Sequence, residues 1–121
     1  MIKFDLNNRT AIITGGAQGF GLDIAKKFLD FGANVILWDI DKEELDKASK
    51  TLSNDKLSFN IVDVSNFNEV EKTTNQITKS INIDILINNA GITGSTAALW
   101  DYDVDEWNKI IKINLMGTFN C

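Results

Sequence analysis

Four glycines stand close together in the segment TGGAQGFG, residues 14–21, directly after a short apolar run. Where a strand turns into a helix, such glycines let a phosphate group lie against the backbone. Free N–H groups of the first helical turn then bind its oxygens. A Cβ at Gly15 or Gly19 would block the turn or this approach, and Gly21 would allow the helix to pack close to the sheet. The spacing therefore predicts a pyrophosphate site. A glycine-rich turn without a ligand is the alternative.

A carboxylate, Asp39, stands at the end of the next apolar run, 18 residues after Gly21. An acid at about this distance from a glycine turn accepts hydrogen bonds from the ribose hydroxyls of NAD, and its charge would repel the extra phosphate of NADP. A solvated acid at a strand end, or a helix cap that competes with Asp41, is the alternative. The glycine turn and the acid together predict a dinucleotide site that prefers NAD.

The elements that must position these residues alternate along the chain. Four short runs rich in Ile and Val are predicted strands, buried on both faces of a parallel sheet. They cover Thr10–Thr14, Asn34–Asp39, Leu57–Val62 and Asp84–Asn88. Segments of helical period lie between and after them, at Gly21–Phe31, Asp41–Leu52, Asn66–Ile81 and from Asp103 onward. The alternation predicts an α/β fold of Rossmann type, with a doubly wound parallel sheet in the strand order 3-2-1-4.

The helical segments carry start signals and apolar faces. Asp41 with Glu44, and Asp103 with Glu106, form predicted capping boxes, and Ser65 is a predicted cap. The inward positions that the period predicts are Leu22, Ala25, Phe28, Leu29, Val70, Ile77 and Ile81, with Trp107, Ile110, Ile111, Leu115 and Phe119 on the last helix. The fourth strand would lie at a sheet edge, where a parallel sheet normally continues. We therefore expect the domain of residues 1–121 to be incomplete and to run past Cys121.

Composition excludes several classes of function. The chain has 121 residues, a net charge of −5 and a sequence pI of about 4.6, which argues against nucleic acid as a partner. It has one cysteine, so no internal disulfide is possible, and we assign no metal ligands. No apolar run approaches the roughly 18 residues of a membrane span. The N-terminus lacks the pattern of a signal peptide, so we expect a cytoplasmic location.

Three later motifs, together with the glycine turn, carry a resemblance to a known family. Thr14-Gly15-x-x-x-Gly19-x-Gly21 resembles the first motif of the classical short-chain dehydrogenases/reductases. Matches to later family motifs follow in order at Asp63-Val64, Asn88-Asn89-Ala90-Gly91 and Asn114 within residues 113–115. One such motif would be weak, whereas the ordered set covers essentially the whole chain.

The resemblance implies that the chain is the cofactor-binding half of an NAD-dependent oxidoreductase. The backbone around the glycine turn would hold the pyrophosphate, and Asp39 would hold the adenosine ribose. Ile40, Asp63 and Val64 would surround the adenine, and residues 89–91 would pass the nicotinamide-side ribose and support the sheet. The implied cofactor-binding residues are Gly15, Gln18, Gly19, Phe20, Gly21, Asp39, Ile40, Asp63, Val64, Asn89, Ala90 and Gly91. NADP-preferring relatives often carry a basic residue where Gln18 stands, which again implies NAD.

The resemblance assigns one catalytic residue to this chain, Asn114. Its side chain and a kink in its helix would hold a water in a proton relay, and because it lies near the apolar face we expect it to be buried and partnered. The family's proton donor is a Tyr with a Lys four residues later. The only tyrosine here is Tyr102, which precedes Asn114 and is followed by Glu106 at that spacing. We therefore expect the 121-residue chain alone to be inactive.

Several interpretations stay open from the sequence. The implied substrate is an alcohol or carbonyl compound of the ketoacyl, sugar or small-alcohol kind. The segment Ile92–Tyr102 either shapes its pocket or is an ordinary loop. The apolar stripe of the last helix predicts a dimer or tetramer of the full-length protein, or else packing onto the chain's own sheet. Trp38, Trp100 and Trp107 are packing candidates. A truncated nucleotide-binding remnant is the alternative function, and the motifs argue against half of a methyltransferase.

Overall fold

The apolar runs form one parallel sheet in the computed structural model, which describes residue 2 and residues 4–121. The strands are β1 Thr10–Thr14, β2 Asn34–Asp39, β3 Leu57–Ile61 and β4 Ile85–Ile87. Their order is β3-β2-β1-β4, with parallel pairing throughout. The predicted α/β fold and its strand order are therefore confirmed.

Helices connect the strands as the alternation predicts. Their bounds are α1 Gly19–Asp30, α2 Lys42–Leu52, α3 Phe67–Ile77, α4 Val104–Ile111 and α5 Gly117–Asn120. A short 3₁₀ turn, Leu99–Asp101, precedes α4, and a π-helical segment, Lys112–Met116, joins α4 to α5. The last predicted helix is thus one continuous rod with a bulge. No helix among the described residues is both long enough and apolar enough to cross a bilayer.

Side chains of the two central strands alternate between two apolar clusters. Ile13 and Leu37 pack with Ala25 of α1 and Leu45 of α2 on one face of the sheet. Ile12, Ile36 and Trp38 pack with Val70 of α3 on the other face. Because β1 and β2 are buried on both faces, their sequences are continuous apolar runs without polar alternation. The inward face predicted for α1 is confirmed, since Ala25 and Leu29 are buried and Leu22 and Phe28 pack against them.

Three local predictions were wrong. Asn66, not Ser65, caps α3: its side-chain oxygen accepts from the backbone N–H groups of Asn68 and Glu69. The Ser65 hydroxyl instead donates to Asp63. The third helix ends at Ile77, which leaves Ile81 exposed.

The apolar stripe of the last helix does not pack onto the sheet of this chain. Its side chains are exposed at Trp107, Ile111, Leu115 and Phe119, and the exposed fraction of Phe119 is 78%. Among the described residues, β4 pairs with β1 alone, and Leu86 on this edge strand is also exposed. The sheet edge and the α4 stripe are therefore apolar surfaces without a partner in the described part of the chain.

Candidate functional site

A cleft of about 460 Å³ lies at the carboxyl ends of the strands. Its size falls within the range of small-molecule sites, and in open α/β sheets this is where ligands bind. The structure brings together ten of the twelve predicted cofactor-binding residues in its lining. They are Gly15, Gln18, Phe20, Asp39, Ile40, Asp63, Val64, Asn89, Ala90 and Gly91. The two others, Gly19 and Gly21, belong to the same turn but do not line the cleft.

The glycine turn has left-handed backbone at two positions. Gly15 has a φ of 60° and Gly19 a φ of 57°, values that L-residues with a Cβ rarely adopt. A Cβ added at Gly15 would lie 2.9 Å from the Cα of Ala90, so this glycine is required by the close approach of two loops. A Cβ added at Gly19 would meet nothing within 4 Å. The backbone at Gly19 is therefore left open on its outer side, where α1 begins.

The third glycine of the motif serves packing. A Cβ added at Gly21 would clash with the carbonyl oxygen of Gly15 and would lie 2.7 Å from the side-chain nitrogen of Asn89. Helix α1 can thus approach the turn only with glycine at this position. The sequence prediction for Gly21, close packing of helix and sheet, agrees with this geometry.

Asn89 and Thr14 join the end of β4 to the glycine turn. The Asn89 side-chain nitrogen donates to the carbonyl oxygens of Thr14 and Gly15, each at 3.0 Å. In return, the Thr14 hydroxyl oxygen accepts from the backbone N–H groups of Asn89 at 3.1 Å and Ala90 at 3.0 Å. Thr14 is buried, and a buried polar group without a hydrogen-bond partner would destabilise the fold. These bonds supply the partners. Sequence reasoning assigned no role to Thr14, although the residue stands in the quoted motif.

Asp39 is fixed at the end of β2 by two backbone groups. Its carboxylate accepts from the N–H of Ala17, inside the glycine turn, at 3.2 Å, and from the N–H of Asp41 at 3.2 Å. The cap of α2 is Asp41, whose side chain accepts from the N–H of Glu44. The alternative in which Asp39 competes for the cap therefore fails. The half-buried Asp39 carboxylate is held in the cleft wall beside the turn.

Asp63 and Val64 close the cleft beyond β3. One carboxylate oxygen of Asp63 accepts from both the N–H and the hydroxyl of Ser65, at 2.9 and 2.6 Å. The last helix holds Val64 in place, because the Asn120 side chain donates to its carbonyl oxygen at 2.9 Å. A Cβ added at Gly117 would lie 2.7 Å from the Val64 side chain. Gly117 and Asn120 thus support the cleft, and no sequence motif pointed to them.

Asn114 lies in the π-helical segment and clasps the loop after β4. Its side chain accepts from the N–H of Ile92 and donates to the carbonyl of the same residue, both at 2.9 Å. The bulge shows in the bond from the N–H of Gly117 to the carbonyl of Lys112, five residues back. The helix therefore has a π-bulge at Asn114, where the resemblance implies a kink. The predicted burial of Asn114 is wrong: the residue is exposed, and its partners are backbone groups of a surface loop.

Comparison with known proteins decides the family. The model of the short chain dehydrogenase family matches residues 9–121. The chain belongs to the short-chain dehydrogenase family. It is 41% identical over 119 residues to 3-oxoacyl-[acyl-carrier-protein] reductase of Chlamydia trachomatis, an alignment that covers 95% of this chain and 48% of that protein. It is 36% identical over 121 residues to the 3alpha-hydroxysteroid dehydrogenase of Mediterraneibacter gnavus, covering 96% and 48%.

Solved short-chain dehydrogenases share the fold closely. A structure from Brucella melitensis described as a glucose/ribitol dehydrogenase superposes with a TM-score of 0.90 at 33% identity, covering 98% of this chain and 51% of that one. NAD⁺-bound xylitol dehydrogenase gives a TM-score of 0.90 at 28% identity, covering 97% and 46%. The RhlG/NADP complex of Pseudomonas aeruginosa gives 0.86 at 33%, covering 97% and 46%. These two relatives hold NAD⁺ and NADP, respectively.

The chain spans about half the length of the curated relatives that it matches. The one tyrosine of this chain is not activated as a base. Burial and the nearby Glu106 carboxylate raise the pKa of Tyr102, which stabilises the protonated phenol. Its ring packs edge-on against Trp107, with ring centroids 5.8 Å apart. Tyr102 therefore has a packing role here.

The tryptophans differ in their surroundings. Trp38 is 2% exposed and lies in the apolar core, as predicted, and it borders the cleft. Its indole nitrogen is buried without a hydrogen-bond partner among the described residues. Trp100 is 86% exposed, so its predicted packing role is wrong. Trp107 is 46% exposed on the α4 stripe.

Proposed function

We propose that this chain binds NAD as the cofactor-binding half of an oxidoreductase that acts on an alcohol or carbonyl substrate. The observation that carries the proposal is the Asp39 carboxylate, fixed by Ala17 inside the glycine turn and facing a cleft of suitable size. NAD, when bound, supplies a hydride acceptor at its nicotinamide ring. The residues that line the cleft would hold that group and orient it.

The residues present fit such a cofactor. The open backbone at Gly19, at the start of α1, offers N–H groups and the positive end of a helix dipole to a pyrophosphate. Asp39 would accept from the adenosine ribose, and Asp63 and Val64 would border the adenine. The cleft then extends to Ala90, Gly91 and Ile92, which would receive the nicotinamide end.

Charge favours NAD over NADP. NADP carries an additional phosphate on the ribose, and the Asp39 carboxylate would lie against that phosphate without a compensating basic group at Gln18. Relatives of known structure include both cofactor types. The proposed preference for NAD therefore rests on Asp39 and Gln18 of this chain.

The substrate class follows from the relatives' names and stays a proposal. The reductase, hydroxysteroid dehydrogenase and xylitol dehydrogenase that the chain resembles are named for 3-oxoacyl, hydroxysteroid and xylitol compounds. We propose a compound of the same chemistry, a secondary alcohol or its ketone. Asn114 would serve the proton relay. Because the side-chain oxygen and nitrogen of Asn114 both bond to Ile92, Asn114 also positions the wall of the cleft.

The exposed stripe of α4 supports a proposal on assembly. Trp107, Ile111 and Leu115 form an apolar surface without a partner in the described part of the chain. We propose that the full-length protein covers this stripe with the same helix of a second copy. Light scattering of the full-length protein, with Leu115→Glu as the variant, tests it. A monomeric wild-type protein would reject it.

The central test is a cofactor titration in which tryptophan fluorescence reports binding. NADH and NADPH are titrated into the wild-type chain, Asp39→Ala, and Asp30→Ala as a control with an exposed acid far from the cleft. We expect the wild type to prefer NADH and Asp39→Ala to lose roughly tenfold or more in NADH affinity, because hydrogen bonds to a charged group contribute about 1.5–3 kcal/mol. Unchanged NADH affinity in Asp39→Ala would reject the proposal.

Tighter binding of S-adenosylmethionine than of NADH would favour a methyltransferase.

A second experiment tests the claim that this is half of an enzyme. The coding region is sequenced in the source DNA past the codon for Cys121. A continuing frame with a Ser and then a Tyr-x-x-x-Lys motif supports the oxidoreductase. A stop codon directly after Cys121 leaves a nucleotide-binding remnant without catalysis.

A further inference from the structure

The segment after β4 is irregular, but α4 holds it along one helix face. Residues 92–98 have no regular structure and are exposed. Three residues of the rod at four-residue steps meet this segment in reverse order. Asn114 bonds to Ile92, Ile110 lies where a Cβ at Gly94 would project, and Glu106 bonds to Ser95. The loop therefore runs antiparallel to one stripe of the helix, with a polar anchor at each end of the contact.

The Glu106 carboxylate accepts from both donors of Ser95, the backbone N–H and the hydroxyl. One carboxylate oxygen accepts from the Ser95 N–H at 2.8 Å and from the Ser95 hydroxyl at 2.9 Å, and the other oxygen lies 2.9 Å from the same hydroxyl. Because the acceptor is charged, these bonds are stronger than neutral ones. A half-buried carboxylate thus binds a loop that is exposed and has no regular structure.

Glu106 occupies a position from which it would ordinarily cap its own helix. In a capping box, the third residue of the helix reaches back to the N–H of the cap residue. Only half of that box forms here. Asp103 accepts from the N–H of Glu106, whereas the Glu106 carboxylate turns outward to Ser95. The capping-box prediction for Asp103 and Glu106 was therefore half wrong. The same holds for Asp41 and Glu44, since the Glu44 carboxylate accepts from Lys47 instead.

We propose that Glu106 is a positioning residue, which through Ser95 fixes the wall of the cleft that receives the reacting end of the cofactor. This inference rests on the proposed function. Asp39 follows β2 and Ile92 follows β4, on opposite sides of β1, and both line the cleft. The loop leaves the cleft at Ile92 and is pinned three residues later at Ser95. With one anchor released, residues 93–98 would fluctuate against the nicotinamide half, while the adenosine half would be untouched.

Two ligands of different length report separately on the two halves of the cleft. ADP occupies only the adenosine half of the cleft, and NADH occupies both halves. Each is titrated into the wild-type chain, Glu106→Ala, Glu106→Gln and Asp105→Ala, the last being an exposed acid on the same turn. We expect Glu106→Ala to lose about fivefold in NADH affinity, in line with one charged hydrogen-bond anchor that is partly exposed. ADP affinity should stay within about twofold, because no contact of that half is changed.

Glu106→Gln and one further variant, Ser95→Ala, keep the test decisive if Glu106→Ala is unstable. Glu106→Gln retains an oxygen that accepts from Ser95, so it should preserve most of the NADH affinity. Ser95→Ala leaves α4 intact and removes the hydroxyl partner, so it should move NADH affinity in the direction of Glu106→Ala. Amide hydrogen exchange at Ser95 should accelerate in Glu106→Ala and stay unchanged in Asp105→Ala.

The outcomes distinguish the two proposals. A wild-type chain that binds neither NADH nor ADP overturns the proposed function, and this inference with it. A wild-type chain that binds both, while Glu106→Ala weakens both equally or neither, overturns this inference alone. Loss confined to NADH, with rescue in Glu106→Gln, supports it.

Discussion

The side-chain nitrogen of Asn89 lies 3.0 Å from the carbonyl oxygen of Gly15, a residue 74 positions earlier in the chain. This bond fastens the loop after β4 to the glycine turn after β1. The two segments are separate motifs in the sequence and one unit in space. A close approach at Gly15, where a Cβ would lie 2.9 Å from the Ala90 Cα, completes the contact. The geometry of the turn therefore depends on a side chain from the loop after another strand.

The first prediction concerns this bond. Asn89→Asp keeps the shape of the side chain but replaces the donor with a carboxylate, which would face the carbonyl oxygens of Thr14 and Gly15. We expect the free energy of unfolding to fall by about 1–3 kcal/mol, since two partly buried acceptors lose their donor and face a charge. Urea denaturation measures it, with Asn88→Asp at the neighbouring exposed position as the control. Equal loss in both variants would contradict the bridging role.

The second prediction contrasts two glycines of one turn. A Cβ at Gly16 would lie 2.9 Å from the backbone oxygen of Ile13 and 2.8 Å from Leu37, so Gly16→Ala should destabilise the fold by about 1–3 kcal/mol. A Cβ at Gly19 meets nothing, and Gly19→Ala should cost only about 1–2 kcal/mol, for a left-handed residue. Gly19→Ala should instead weaken NADH, because the methyl group enters the space proposed for the pyrophosphate.

The decisive comparison is therefore between two measurements on each variant. Thermal or urea unfolding gives the stability, and the NADH titration gives the affinity. Affinity retained in Gly19→Ala would place the pyrophosphate elsewhere.

Much of the fold could be predicted because the apolar pattern and the glycines act locally. β1 and β2 begin and end where predicted, since both are buried on both faces and no polar residue interrupts them. The end of α3 could not be predicted. Ile81 continues the helical period, but the helix stops at Ile77, and Ile81 is exposed. A period shows which face could be buried, whereas only the tertiary structure decides whether it is.

The candidate site shows the same division. Motif residues such as Gly15 and Asp39 were found because their chemistry needs a particular residue type after a strand. Thr14, Glu106 and Asn120 were missed as supports, because a threonine, a helical glutamate and an asparagine have many ordinary roles. Their partners are Ala90, Ser95 and Val64, which lie 76, 11 and 56 positions away in the sequence. No local pattern therefore indicates them.

The third prediction is a pH dependence at the opposite end of the sheet. The Asp84 carboxylate accepts from the N–H of Thr10 at 2.8 Å and pairs with Arg9 at 3.3 Å. The bond from Thr10, and then that from Arg9, lower the pKa of Asp84 below its ordinary value. A lowered pKa in the folded state means that this contribution to stability is present above the ordinary value and is lost as pH falls through the folded value.

Asp84→Asn should therefore flatten the loss of stability that accompanies a fall in pH below the ordinary carboxyl pKa. Urea unfolding at a series of pH values measures the slope. Asp55→Asn, an exposed acid with no hydrogen bond in the part of the chain that the structure describes, serves as the control. A wild-type slope in Asp84→Asn would show that Asp84 carries no such linkage.

The fourth prediction uses the single tyrosine as a reporter of Glu106. Burial is the larger cause of the raised pKa of Tyr102, and the Glu106 carboxylate adds to it, because a negative charge nearby disfavours the phenolate. Glu106→Gln removes the charge and keeps the burial, so the pKa of Tyr102 should move down toward its ordinary value without reaching it. Ultraviolet absorbance of the phenolate measures this directly, since the chain has no other tyrosine.

The sign of the stability effect follows from the same shift. A phenol whose pKa is raised by folding ionises first in the unfolded chain, so the folded state loses stability as pH rises through the ordinary value near 10. Glu106→Gln should lessen this alkaline loss, and Asp105→Ala, on the solvent side of the turn, should leave the titration of Tyr102 unchanged. An equal shift of the Tyr102 pKa in both variants would mean that general charge, not the placement of Glu106 beside the loop, sets it. A shift in Glu106→Gln alone would place the carboxylate where the Ser95 anchor requires it.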